Sequence, residues 1–190
     1  MASKKESTFI NMVLTLFLVA AVAAMALGGV YTLTKEPIAL AKQRKLEAAI
    51  KTVLPDFDTV RTERVPADGG DSLTFYYADK GGEQIGVAIT TYTNKGFSGR
   101  IDLMVGLLND GTINNTAVLA HKETPGLGDK MDIAKSNFPE QFQGKNPEAF
   151  NLHVKKDGGD VDAITAATIS SRAFCDAVDR AYKTFKENED

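Results

Sequence analysis

The sequence predicts an α+β protein: one apolar N-terminal helix that spans a membrane, followed by a single domain with an antiparallel sheet and a C-terminal helix. Three observations carry this. The 25 residues from Phe9 to Leu33 contain no charge. Between residues 73 and 120, segments rich in β-branched and aromatic residues alternate with glycine-bearing turns. The chain then closes on an amphipathic helical pattern. At 190 residues, 43% hydrophobic and 25% charged, it has room for one sizeable core rather than two.

The N-terminal run FINMVLTLFLVAAVAAMALGGVYTL would extend roughly 37 Å as a helix, enough to cross a hydrocarbon layer of about 30 Å with some tilt. Lys4 and Lys5 precede it, and Ala24-Met25-Ala26 imitates a cleavage site for signal peptidase. A signal core is about 7–15 residues long, so the length favours an uncleaved anchor. Lys35, Lys42, Arg44 and Lys45 follow the run, and a count of basic residues alone would hold the large domain inside. From Pro37 to Leu54, the residues Ile38, Ala41, Leu46, Ala49, Ile50 and Val53 recur near helical spacing, which predicts a juxtamembrane helix ended by Pro55. Its mixed charges suit a spacer packed on the domain better than a lipid-binding helix.

Four strands are expected at LTFYYA, QIGVAITTY, RIDLMVGLL and TINNTAVLA. Lys80-Gly81-Gly82-Glu83 and Asn109-Asp110-Gly111 supply the turn residues between them. MDIAKSNFPEQF reads as helix up to Pro139, FNLHV as a fifth strand, and Asp157-Gly158-Gly159-Asp160 as a turn. In the last helix Phe174, Ala177, Val178, Ala181, Tyr182 and Phe185 mark the buried face, with Ser170 or Ser171 as cap.

Composition excludes several functions. With 22 basic against 25 acidic residues the formal charge is −3, so no basic field for nucleic acid is present. Cys175 is the only cysteine, which rules out an intrachain disulfide or a cysteine-built iron–sulfur site. His121 and His153 are the only histidines; His121 lacks neighbouring partners for a metal, and no metal site is expected. There is no P-loop and no Gly-x-Gly-x-x-Gly unit, and the acidic residues of DGGDVD miss the spacing of a calcium loop.

Two segments remain for chemistry. DAITAATISSR, from Asp162 to Arg172, sets hydroxyls among the small residues Ala163, Ala166 and Ala167 just ahead of the last helix, where free backbone N–H groups favour an anion such as phosphate. HKETPGLGDKM, from His121 to Met131, brings a proline and two close glycines to the end of a strand and suits main chain that approaches a flat ligand. Taken singly, the first is better read as an ordinary helix cap with spare hydroxyls, and the second can as well be a surface turn.

Together with the single anchor, GFSG at residues 96–99 and VGLLNDG leading into ETPGLG, these segments resemble the G subunit of the Rnf complex, the ion-translocating ferredoxin:NAD oxidoreductase, over nearly the whole chain. The most specific element is the flavinylation pattern Asp-x-x-Ser/Thr-Gly-Ala-Thr, which aligns with Asp162, Thr165, Ala166, Ala167 and Thr168; Ala166 stands where the pattern has glycine. The C subunit of the sodium-translocating NADH:quinone reductase is similar in anchor, loop and flavin-accepting threonine but is usually longer.

The resemblance implies an electron-transfer subunit with FMN joined covalently to Thr168 through its phosphate, attached by a flavin transferase that takes FAD as donor. Thr168 would be an anchor rather than a catalyst. Thr165, Ala166, Ala167, Ile169 and Ser170, with Asp162 ahead of them, would line the phosphate end. Glu123, Thr124, Pro125, Gly126, Leu127 and Gly128 would lie near the ring. It further implies residues 1–8 in the cytoplasm of a bacterium or archaeon, a transmembrane helix at 9–33, a juxtamembrane helix at 34–55 and an FMN-binding domain at 56–190 outside. Its partners would be the lipid bilayer and the other membrane and peripheral Rnf subunits. A membrane-anchored sensor that binds its ligand reversibly, or an unmodified assembly subunit, are the readings of a different class.

Overall fold

The computed structural model describes residues 8–67 and 72–189; Lys4 and Lys5 lie outside them. The chain divides into two units, residues 1–44 and 45–190, and the division falls inside one long helix, α1, Phe9–Val53. In the first unit the side chains from Phe9 to Leu33 are exposed nearly all round, so this part of the helix presents apolar surface to whatever surrounds it. That is the behaviour of a segment whose solvent is lipid or other membrane helices rather than its own domain. Its threonine hydroxyls are satisfied locally: Thr15 donates to the Asn11 carbonyl at 2.7 Å and Thr34 to Val30 at 2.8 Å. The helix expected to begin near Pro37 does not begin there, because α1 runs through Pro37 without a break.

The second unit is a five-stranded antiparallel sheet in the order β1-β2-β3-β4-β5: β1 Thr59–Pro66, β2 Ser72–Lys80, β3 Glu83–Gly96, β4 Gly99–Leu108 and β5 Ile113–Ala120. Alternation along β4 decides what covers each face. Ile101, Leu103, Val105 and Leu107 point to one side, where they pack with Phe174, Ala177, Val178 and Ala181 of α2, Thr168–Glu189. Met104 points to the other side and meets Ala49, Ile50, Val53 and Leu54 at the end of α1. All six apolar positions expected on α2 are buried. The sheet is thus covered on both faces.

The end of α1 is held by polar contacts as well. Asn114 Nδ2 donates to the Val53 carbonyl at 2.8 Å and Asn115 Nδ2 to Thr52 at 3.1 Å, which satisfies two of the carbonyls that a helix leaves without partners at its C-terminus. Gly106 makes this contact possible, since a Cβ there would lie 1.9 Å from the Val53 carbonyl oxygen.

Two further expectations are corrected, and one strand has no counterpart among those expected. MDIAKSNFPEQF is not an α-helix: one 3-10 turn, Gly128–Met131, ends at its first residue, another, Phe138–Phe142, closes it, and turns and bends lie between. Side chains capture the backbone there: Ser136 donates to Lys130 O and accepts from Phe138 N, and Asp132 accepts from Ala134 N. FNLHV forms no strand beyond a bridge between Val154 and Val161; Leu152 and Val154 are buried, but the Asn151 N–H goes to the Asp160 carboxylate. Conversely, TVRTERVP pairs with β2 across all eight residues although only Val65 is buried, so its strand character comes from its neighbour rather than from its own pattern.

Gly106→Ala should displace the end of α1 and cost about 1–3 kcal/mol as an overpacked contact. A thermal melt followed by circular dichroism checks this: the midpoint should fall by about 2–4 °C per kcal/mol, and an unchanged midpoint would mean that α1 does not press on the sheet as described.

Candidate functional site

The last helix begins at Thr168, one residue after a tight reversal. Ala167 N donates to Ile164 O at 3.0 Å, closing a four-residue turn whose third position, Ala166, has φ +62°. Positive φ at that position is what a type II turn requires and what glycine adopts most cheaply. Ala166 is the non-glycine residue in this region of backbone space among the described residues. This gives the flavinylation pattern's glycine a physical reason: the chain must turn back on itself immediately before the threonine.

Ser171 locks that turn to the helix. Its hydroxyl accepts the Ile164 N–H at 2.9 Å and donates to the Ala167 carbonyl at 3.0 Å, and the residue is fully buried. Neither serine is therefore the N-cap expected from the sequence; both sit inside the first turn of α2. Ser170 points the other way and donates to Glu123 Oε2 at 2.6 Å.

Glu123 belongs to the second segment, and the residue is 5% exposed. Oε1 accepts the Ser98 N–H at 2.8 Å, so the same carboxylate ties the β3–β4 hairpin tip, the loop after β5 and the start of α2 into one cluster. A buried carboxylate is tolerable only with such partners. The loop then makes its own tight turn: Leu127 N donates to Thr124 O at 3.1 Å, with Pro125 second and Gly126 third at φ +78°. Gly128 follows, packed so closely that a Cβ would lie 2.5 Å from both Glu123 Oε2 and Ser170 Oγ.

Between the two turns lies a cleft of about 320 Å³. Glu123, Thr124, Leu127 and Gly128 form one side; Ala166, Ala167, Thr168, Ile169 and Ser170 form the other. Thr168 is half-buried. The structure does not bring every candidate here. Pro125 and Gly126 are exposed and stand off its wall, while Asp162 and Thr165 line a neighbouring cavity with Lys130 and Gln141. Asp162 is paired with Lys155 at 2.7 Å and fixed by its N–H to Gln141. One lining residue was not picked out individually from the sequence: Phe97, at the hairpin tip, inside the GFSG stretch. An exposed aromatic at a two-residue hairpin tip between glycines is the signal that could have marked it.

The cleft suits FMN. The first turn of α2 offers N–H groups to a phosphate, Thr168 offers a hydroxyl, and Leu127, Ile169 and Phe97 offer apolar surface to a ring system. Further along α2, Arg172 grips Asp157 through two bonds of 2.6 and 2.7 Å, which holds that carboxyl below its ordinary pKa. Burial pushes the Cys175 thiol up to about 12, which favours the protonated form of this buried side chain.

Ala166→Gly should stabilise the fold. Left-handed backbone costs an L-residue roughly 1–2 kcal/mol, and the added freedom of glycine in the unfolded chain takes back about 0.4–1. The melting midpoint should rise by about 2–4 °C; a fall would show that Ala166 is unstrained.

Comparison with known proteins agrees with this geometry. The FMN-binding domain family matches residues 96–183, which run from the hairpin tip to α2 and include both walls of the cleft. The G subunit of an ion-translocating oxidoreductase complex from Aliivibrio fischeri (strain ATCC 700601 / ES114) is 38% identical, covering 93% of this chain and 90% of that protein. Proteins of the same name from Shewanella baltica (strain OS223) and Vibrio cholerae (serotype O1, strain M66-2) are 37% and 36% identical, over 82% and 84% of this chain and 79% and 81% of their own length. The chain carries an FMN-binding domain and belongs to the family of G subunits of the Rnf ion-translocating oxidoreductase.

Proposed function

We propose that this protein is the electron-relay subunit of a membrane-bound Rnf complex and that it carries FMN as a phosphoester of Thr168. The observation that carries the reading is that Thr168, the first residue of α2, lines the cleft where residues of the DAITAATIS and ETPGLG segments meet. A phosphodiester at that oxygen keeps one negative charge, and the N-terminus of α2 is where such a charge is stabilised, by about 0.3–1 kcal/mol at an exposed site. Ala166 and Ala167 keep side chains out of the way of the phosphate, while Ser170, held by Glu123, fixes the helix end. Bound there, the isoalloxazine ring supplies reversible uptake and release of electrons. The residues of this chain contribute position, charge and shielding, and none of them acts as a nucleophile or base in turnover.

The readings of reversible ligand binding and of an unmodified assembly protein lead to different molecules from this one, and a denaturing gel separates them. Full-length protein made together with a flavin transferase should give a fluorescent band under ultraviolet light after denaturing electrophoresis. Thr168→Ala should abolish that band, while its melting curve stays within about 0.5 kcal/mol of parent protein made without the transferase, because only one hydroxyl at the edge of the cleft is removed. A fluorescent band in Thr168→Ala would rule out the attachment site. An unmodified mass for the parent protein would remove the covalent reading altogether.

The anchor is assigned to residues 9–33, with residues 1–8 in the cytoplasm and the flavin domain on the extracytoplasmic face of a bacterial or archaeal cytoplasmic membrane. The charge-free, outward-facing apolar run of α1 supports the crossing. Covalent tethering suits a compartment in which free FMN is scarce. Alkaline phosphatase fused after Asp190 should be active in intact cells, and an inactive phosphatase fusion with a fluorescent cytoplasmic reporter at the same position would reverse the orientation.

A further inference from the structure

The β3–β4 hairpin turns over Phe97 and Ser98 between the paired residues Gly96 and Gly99. Its tip is held rigidly, because Ser98 N–H is bound by the buried Glu123 and Gly96 is packed so that a Cβ would lie 2.8 Å from Glu123 Oε1 and 2.9 Å from Ile101 Cδ1. The Phe97 side chain nevertheless stands 69% exposed. The fold gains almost nothing from a phenyl ring left in water on a rigid tip. The other exposed apolar side chains of the cleft are Leu127, at 41%, and Ile169, at 46%. Large apolar groups from three separate elements thus line the same cleft as Thr168. Such a concentration of exposed apolar surface around one polar attachment point calls for a flat, largely apolar occupant.

We propose that Phe97 is the covering wall of the flavin ring, a contact residue that keeps the isoalloxazine seated against the cleft once its phosphate is attached at Thr168. This rests on the covalent-FMN reading above. The ribityl chain between phosphate and ring is flexible, so attachment alone fixes only one end of the cofactor. Phe97 fixes the other end by closing the cleft over the ring, and the Ser98–Glu123 bond sets where Phe97 stands. The ring is thereby shielded from water and small solutes on that side.

The test uses full-length protein, loaded by a co-produced flavin transferase and purified in detergent without partner subunits. Covalent load is read from flavin absorbance after denaturation; ring mobility and exposure are read in the native protein from flavin fluorescence anisotropy and from quenching by iodide. Phe97→Ser should carry the parental load, lose anisotropy, and be quenched with a constant about twofold higher, since loss of the phenyl ring opens a face of the flavin that it had covered. Phe97→Tyr should restore the parental anisotropy and quenching. Fully loaded Phe97→Ser with parental values for both would overturn the proposal and leave Thr168 attachment untouched. If Phe97→Ser loads poorly, Phe97→Ala is read in the same way, with the same two outcomes. A parent protein without covalent flavin would overturn the attachment reading first, and this one with it.

Discussion

The carboxylate of Glu123 is the constraint on which the rest of the site depends. Removed from water, it needs donors, and it finds them on two elements that are distant in sequence: the Ser98 amide at the β3–β4 tip and the Ser170 hydroxyl on α2. Charge-assisted hydrogen bonds of this kind are worth about 1.5–3 kcal/mol each, and leaving either partner buried without the other costs about as much. The loop after β5, the hairpin tip and the start of the last helix therefore cannot drift apart independently. Sheet and helix supply the scaffold, but it is this one side chain that sets the width of the cleft between them.

The two walls of that cleft are built by the same device. Thr124-Pro125-Gly126-Leu127 and Ile164-Thr165-Ala166-Ala167 are both turns closed by an N–H from the fourth residue to the first carbonyl, with positive φ at the third. In one the third residue is glycine, as sterics favour. In the other it is alanine, which adopts the same backbone at higher cost and is held there by Ser171. A turn with its reversal at residue 166 places residue 168 at the head of a helix rather than one position earlier or later, so the threonine hydroxyl and the free N–H groups come from the same two or three residues. Strain at Ala166 is tolerated because the surrounding bonds determine the conformation.

How far the sequence discloses this depends on the range over which each signal acts. The four strands β2 to β5 and the buried face of α2 are legible because alternation and helical periodicity are local and the core rewards them directly. The strand β1 is silent, since its side chains face solvent and its identity lies in pairing with β2. Residues 131–142 mislead for a related reason: they alternate apolar and polar groups at near-helical spacing, yet Ser136 and Asp132 take the backbone partners that a helix would need. In the site, the family pattern marks Thr168 and the ETPGLG loop, but it cannot reveal that Asp162 and Thr165 face a different cavity from Thr168, or that Phe97 arrives from a hairpin far upstream in the chain. Those are facts of tertiary placement, and no spacing rule encodes them.

The shape of the cleft bears on why a covalent link would be favoured over tight binding. A dinucleotide or flavin held only by contacts needs a pocket that encloses most of its surface, because a small ligand draws its affinity from burial and from a few well-placed polar groups. Here the cleft is of modest volume, opens at the surface, and is bordered by exposed apolar side chains. Deepening it would raise affinity but would also bury the ring away from the neighbouring redox centres with which a relay must exchange electrons. In the proposed arrangement a bond at Thr168 separates these two demands: retention no longer depends on enclosure, so the protein can leave one edge of the ring open. Enclosure then needs only to steady the ring, which a single side chain on a rigid hairpin can do.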